Sequence, residues 1–193
     1  MAYCTAADIR AYIGTTATDD DALLTLLIAR AQAMIDEFVG FGFEASANTT
    51  RYFDSAKDTA GLTLYFDTWA ASINSVTNGD STVITSTYYT TLPVNAAPYY
   101  GIKLKDSSGY VWEADSNDDP EKAITISAKW AYSATAPADI VHATIRLVTW
   151  MYRQRDNSTD LDRPVLAEGV MVLPAQIPSD VTAVLDRYRW RSV

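Results

Sequence analysis

The sequence predicts an α+β fold: a small helical bundle built from N- and C-terminal helices, with a β-rich insertion between them. Three observations predict it. Apolar residues recur at helical spacing towards both ends of the chain. From about Thr49 to Trp130, Thr, Tyr, Val and Ile dominate instead, broken by turn residues. The length of 193 residues, 48% apolar and 20% charged, suits one medium domain with an insertion and buries a core without staples. The predicted boundaries are residues 1–48 and 131–193 for the bundle and 49–130 for the insertion.

The elements follow in order. T-A-A-D (Thr5 to Asp8) reads as a capping box, followed by Ile9, Tyr12 and Ile13, with Gly14 as the stop. In TDDDALLTLLIARAQAMIDEFVG, Thr18 is the expected cap, and Asp19, Asp20 and Asp21 sit where a helix N-terminus favours negative charge. Leu24, Leu27, Ile28, Ala31, Ile35 and Phe38 recur at helical spacing, and Gly40 supplies the exit. FVGFGFEA then reads as a helix exit into an apolar corner.

In the middle, TTRYFD, LTLYFD, INSVTNGDSTVIT, YGIKLKDSSGYVWEA and AITISAKW read as strands of a small two-sided sheet. Asn78-Gly79 signals a tight turn, and DSSG (Asp106 to Gly109) a second hairpin. After Pro137, PADIVHATIRLVTWMYRQR returns to helical spacing. His142, Arg146, Thr149 and Arg153 form one polar stripe on an otherwise apolar wheel, so this helix is expected to pack on more than one side. Residues 156–178 read as a long link, and a final helix from Ser179 presents Val181, Val184, Leu185 and Tyr188.

Reactive chemistry is sparse. His142 is the sole histidine, and no nucleophile motif accompanies it. Two arginines share its stripe and disfavour an imidazolium. One Cys and one His supply no soft-metal cluster. Cys4 cannot form an internal disulfide and fits a structural role in a reducing compartment. DSNDDPEKAITI has oxygen ligands at positions one, three and five. It places Pro120 where a calcium loop needs its glycine and Ile126 where it needs its glutamate. Neither a GxxxxGK[ST] nor a GxGxxG motif occurs. No catalytic, cofactor-binding or metal-binding residue is therefore assigned, and the expectation is a non-enzyme. The aromatic residues Trp69, Tyr88, Tyr89, Tyr99, Tyr100, Tyr110, Trp112, Trp130 and Tyr132 fit the core of a small sheet better than a sugar-stacking platform.

The start lacks a basic region followed by an apolar core, and no apolar run reaches 18 residues. The expectation is neither a secretory signal nor a membrane span, so the N-x-T patterns at Asn48 and Asn157 read as chance. The net charge is −9. Residues 1–136 hold 8 Lys/Arg against 17 Asp/Glu, and residues 137–193 hold 7 of each. An acidic chain repels duplex DNA, and the helix that follows Gly14 opens with three aspartates where a recognition helix would meet phosphates. Only the Arg146/Arg153 stripe and the ending RYRWRSV offer clustered basic charge.

CTAADIRAYIGTTATDDDALLTLLIARAQAMIDEFVGFGFEASANTTRYFD resembles the opening of the head-to-tail connector (adaptor, or head completion) proteins of long-tailed double-stranded DNA phages. PADIVHATIRLVTWMYRQR resembles the later helix of that family, and IPSDVTAVLDRYR its closing helix. The resemblance covers roughly residues 4–54 and 124–191, and rests on the order of these motifs and the chain length. The β-rich middle is longer than in the all-helical members.

The resemblance implies a structural virion protein at the head–tail interface, assembled in the host cytoplasm. It implies a ring, commonly dodecameric, beneath the portal protein that extends the DNA channel and docks the tail. The partners implied are the portal, a tail-side completion or tail terminator protein, and further copies of the chain. DNA would pass without specific binding, and the acidity suits such a wall. Carried over, the portal contact falls on Arg187, Tyr188, Arg189, Trp190 and Arg191, residue types that dominate interface energetics. Asp19, Asp20 and Asp21 meeting Arg146 and Arg153 of a neighbour would give a ring contact of complementary charge. The alternative is a non-catalytic binding module whose aromatic β segment takes a carbohydrate or another virion protein.

Overall fold

The computed structural model describes residues 2–156, 165–167, 170–172 and 177–189. Two compact units make up the chain. One joins Ala2–Gly40 to Pro137–Val193, and the other is Phe41–Ala136.

The first unit is helical. Helix α1 (Ala6–Ile13) is closed by the expected capping box: the Thr5 hydroxyl accepts from Asp8 N, and the Asp8 carboxylate accepts from Thr5 N at 2.7 Å. Gly14 ends it in the left-handed region at φ 84°. Helix α2 spans Asp21–Val39 and buries Leu24, Ile28, Ala31, Ile35 and Val39. Its start differs from expectation. Asp20, and not Thr18, precedes the first helical residue, and no side chain caps the helix. The Asp20 carboxylate instead accepts the hydroxyl hydrogen of Tyr152.

Helix α3 (Ala138–Asp156) touches each of the other three helices. It buries Ile140, Ala143, Thr144, Leu147, Val148 and Thr149. The polar stripe read from the wheel is therefore interrupted, because Thr149 is only 1% exposed. Helix α4 (Ser179–Leu185) buries Val181 and Leu185. The link between α3 and α4 is not wholly irregular as expected, since Val165–Ala167 pairs antiparallel with Val170–Val172.

The second unit holds eight described strands: β1 (Thr49–Phe53), β2 (Thr59–Ala60), β3 (Thr63–Ala70), β4 (Ser72–Thr77), β5 (Val83–Ile84), β6 (Tyr89–Leu92), β7 (Tyr99–Leu104) and β8 (Ile124–Lys129). They form two antiparallel four-stranded sheets, in the orders β1-β8-β4-β5 and β2-β3-β7-β6, and not the single sheet expected. Alternation along the strands drives both inward. Ile124, Ile126 and Ala128 of β8 are buried while Thr125, Ser127 and Lys129 are not. One buried cluster draws on both sheets, with Phe53, Val76, Ile84 and Ile126 from the first and Leu64, Phe66, Ile102 and Leu104 from the second.

Of the two turn signals, one resolves differently from expectation. DSSG becomes a single 3-10 turn, and YVWEA after it is not a strand. The segment is held by a side chain instead. Buried Asn78 donates Nδ2–H to Val111 O at 2.9 Å and accepts from Glu113 N at 3.2 Å. Asn78-Gly79 makes the expected turn between β4 and β5, with Ser81 N donating to Asn78 O at 3.0 Å, and a Cβ on Gly79 would sit 2.2 Å from Glu113 O and 2.3 Å from Ala114 O. The Asn-Gly pair thus docks residues 111–114, and Gly79 is required by close approach.

Candidate assembly surface

The helical unit has two chemically distinct ends. Tyr152, near the end of α3, reaches Asp20, just before α2 begins. Tyr188, just past α4, reaches Asp139 in the first turn of α3 at 2.9 and 3.0 Å. Arg189 places its guanidinium carbon 5.5 Å from the ring centroid of Phe38, near the end of α2. These contacts fix α2 and α3 as antiparallel. Asp20 and Tyr152 therefore mark one end of the α2–α3 pair and Asp139 and Phe38 the other, while Arg146 lies midway along α3, seven residues from Asp139 and seven from Arg153.

Of the charged residues expected at a ring contact, most are already engaged within the protomer. Asp21 pairs with Arg10 of α1. Arg146 sends Nε and Nη2 to one oxygen of Asp180 in α4, each at 2.8 Å. Asp180 and the nearby Tyr12 hydroxyl hold the Arg146 guanidinium above its ordinary range, while Arg146 holds the Asp180 carboxyl below its own. Asp19 and Arg153 are exposed, and neither forms an ion pair among the described residues. The Tyr152–Asp20 bond leaves them flanking a single contact.

At the end marked by Asp139 and Phe38, Arg187 and Arg189 are exposed and Tyr188 is half-buried. Trp190 and Arg191 lie outside the described residues. Sequence reasoning did not single out Asp139 or Phe38. Asp139 stood in a helix first turn, and Phe38 at a core-spaced position, so each had a sufficient local explanation.

No reactive centre emerges among the described residues. His142 is exposed and meets the Tyr12 ring edge-on at 6.0 Å. Among the described residues no group of three metal-ligating side chains occurs, and no helix is long and apolar enough to cross a membrane. An open cleft of about 520 Å³ in the β unit is lined by Tyr89, Thr90, Tyr99 and Lys105 among others, with no carboxylate. The Lys105 ammonium donates to Thr87 O at 2.7 Å.

Most of the aromatic residues expected in the sheet core pack there, while Tyr88 and Tyr100 stay 40% and 38% exposed. Tyr89 is buried, and Tyr99, Tyr110, Trp112 and Trp130 pack on the sheet core. Trp112 and Trp130 also donate their indole N–H to Leu62 O and Thr49 O. Trp69 and Tyr132 meet Phe41, while Tyr100 and Tyr88 abut Trp69 and Tyr110. A stacking platform would need ring faces left open.

The family model for head completion proteins matches residues 2–190. The chain belongs to the head completion protein family. That family describes a head–tail connector with a structural role, and it is not a class of enzymes. No curated protein matches the sequence. Among solved structures, a chain from the neck of an empty GTA particle computed with C6 symmetry aligns with a TM-score of 0.62 and 14% identity, over 99% of this chain and 91% of that one. A chain from the virion of a native gene transfer agent (GTA) particle gives 0.60 and 16%, over the same shares. A third, from the neck of a native GTA particle computed with C12 symmetry, gives 0.53 and 15%, over 97% and 88%. At these identities the likeness shows that this head completion protein shares their fold, including the β-rich unit.

Proposed function

We propose that this head completion protein forms a ring beneath the portal at the head–tail junction of a virion, extends the DNA channel and docks the tail. The observation that carries the reading is the family match over nearly the whole chain. Neck chains of C6- and C12-symmetric particles that share the fold support a ring. The charge of −9 per copy suits a channel wall that passes DNA without holding it.

In this reading the C-terminal arm, Arg187 to Arg191, meets the portal, and copies adjoin through Asp19, Asp20, Asp21, Arg146 and Arg153. With Asp20, Asp21 and Arg146 bonded within the protomer, Asp19 and Arg153 are the groups with charge to offer a neighbour. The tail side meets a completion or terminator protein. Assembly takes place in the host cytoplasm.

The test is to mix the purified chain with portal rings and image the product by negative stain, with native mass spectrometry for copy number. A ring stacked on the portal is the expected result. A chain that neither joins portal rings nor is found in purified virions would remove the proposal.

A further inference from the structure

The C-terminal arm is gripped from within the helical unit. Arg187 N bonds Val184 O and Tyr188 N bonds Leu185 O, so the helical turn continues past the end of α4. Tyr188 thereby falls seven positions beyond Val181, on the face that α4 buries. Its hydroxyl donates to the Asp139 carboxylate, whose Oδ1 also accepts from Ile140 N at 3.0 Å. Arg189 rests over Phe38 in a cation–π contact. Arg187 is exposed and has no ion pair among the described residues.

We propose that Asp139 and Phe38 are positioning residues that root the arm. They tie Tyr188 and Arg189 to the protomer's own surface, so that exposed Arg187 is presented, where α2 ends and α3 begins, to a carboxylate-bearing rim on the partner. The inference rests on the reading of the arm as the portal contact. It changes which residues touch. Tyr188 and Arg189 fix where the arm leaves, and the partner meets what lies outside that grip. An arm rooted during folding has less freedom to lose on docking than a free one. A protomer whose arm is correctly placed only a fraction of the time binds more weakly by that fraction.

The experiment measures affinity of the full chain for immobilised portal rings, with circular dichroism confirming that each variant is folded at the working temperature. Wild-type chain that does not bind removes the arm-as-portal-contact reading itself. Given wild-type binding, Asp139→Ala and Tyr188→Phe are each expected to weaken it about tenfold, the factor for an arm well placed a tenth of the time. The double variant should be no weaker than either single one, because both break the same contact. Asp139→Asn keeps an acceptor for the tyrosine hydroxyl and should stay within about twofold of wild type. Phe38→Leu keeps the core apolar, removes the cation–π contact and should weaken binding in the same direction. Unchanged or tighter binding by Asp139→Ala, or single effects that multiply in the double variant, would overturn the proposal.

Discussion

The Tyr152 hydroxyl donates a hydrogen bond to the Asp20 carboxylate at 2.5 Å, across 132 positions of sequence. This one bond ties the start of α2 to the end of α3, as their antiparallel packing requires. A bond to a charged acceptor contributes about 1.5–3 kcal/mol when well buried. Tyr152 is only partly buried, so Tyr152→Phe is expected to cost about 1 kcal/mol in urea unfolding. A variant as stable as wild type would show that solvent satisfies Asp20 equally well.

The Arg146–Asp180 pair predicts a pH dependence. Asp180 is held below its ordinary range in the folded chain, so its contribution is present above the unfolded value of about 3.9. It is lost as pH falls through the lower folded value. The side chains are 35% and 52% exposed, which limits the pair to about 0.2–1 kcal/mol. Asp180→Asn should lower the melting temperature slightly at pH 7 and leave it unchanged at pH 2. An equal deficit at both pH values would place the effect elsewhere.

Charge reversal separates fold from assembly at Arg146 and Arg153. Arg146→Glu breaks an internal pair and should lower monomer stability. Arg153→Glu touches no described partner, so its unfolding free energy should stay within about 0.5 kcal/mol of wild type while ring formation on the portal falls. Intact rings from Arg153→Glu would remove Arg153 from the copy–copy contact.

Gly79→Ala should be among the costliest single changes in the β unit. The new methyl would stand 2.2 Å from a carbonyl oxygen, and backbone must shift to admit it. Overpacking of this kind costs about 1–3 kcal/mol, occasionally more. Displacement of residues 111–114 carries Trp112 with it, so tryptophan emission should move to the red before global unfolding. An unshifted spectrum in a fully stable variant would contradict the close approach.

Cys4 should be unreactive. Burial, helped by the nearby Asp8 charge, pushes its thiol up to about 11, so almost no thiolate exists at pH 8. Labelling by a thiol reagent at pH 8 should await unfolding. Fast labelling of folded chain would mean that the N-terminal segment opens locally.

The fold was legible where information was local. The six apolar residues of α2 at helical spacing located its body, and Gly14 and Gly40 took the left-handed conformations expected of exits. The second sheet was hidden because its central strands, β3 and β7, were readable as strands but their pairing between residues as distant as Thr63 and Lys103 was not, and β2 is only two residues long. Asn78-Gly79 forms the turn it signals, but its second role, holding residues 111–114, was hidden because that segment lies more than thirty residues away. The same holds for the assembly surface. Arg146 read as free on a helical wheel, and its partner Asp180 is 34 positions distant. Tyr188 was readable in two ways, as apolar helix face and as partner contact, and its bond to Asp139 satisfies the first.

The placement of the β unit within the sequence has a consequence for biosynthesis. A nascent chain emerges with α2 complete, yet residues 41–136 must all be translated before α3 exists to cover Leu24, Ile28, Ala31 and Ile35. At about 5–20 residues per second that wait lasts on the order of 5–20 s, long enough for the β unit to fold first. The exposed apolar stripe of α2 is then the natural target for a chaperone on the ribosome, and a slower-translated message should raise the yield of β unit while increasing the load on that chaperone.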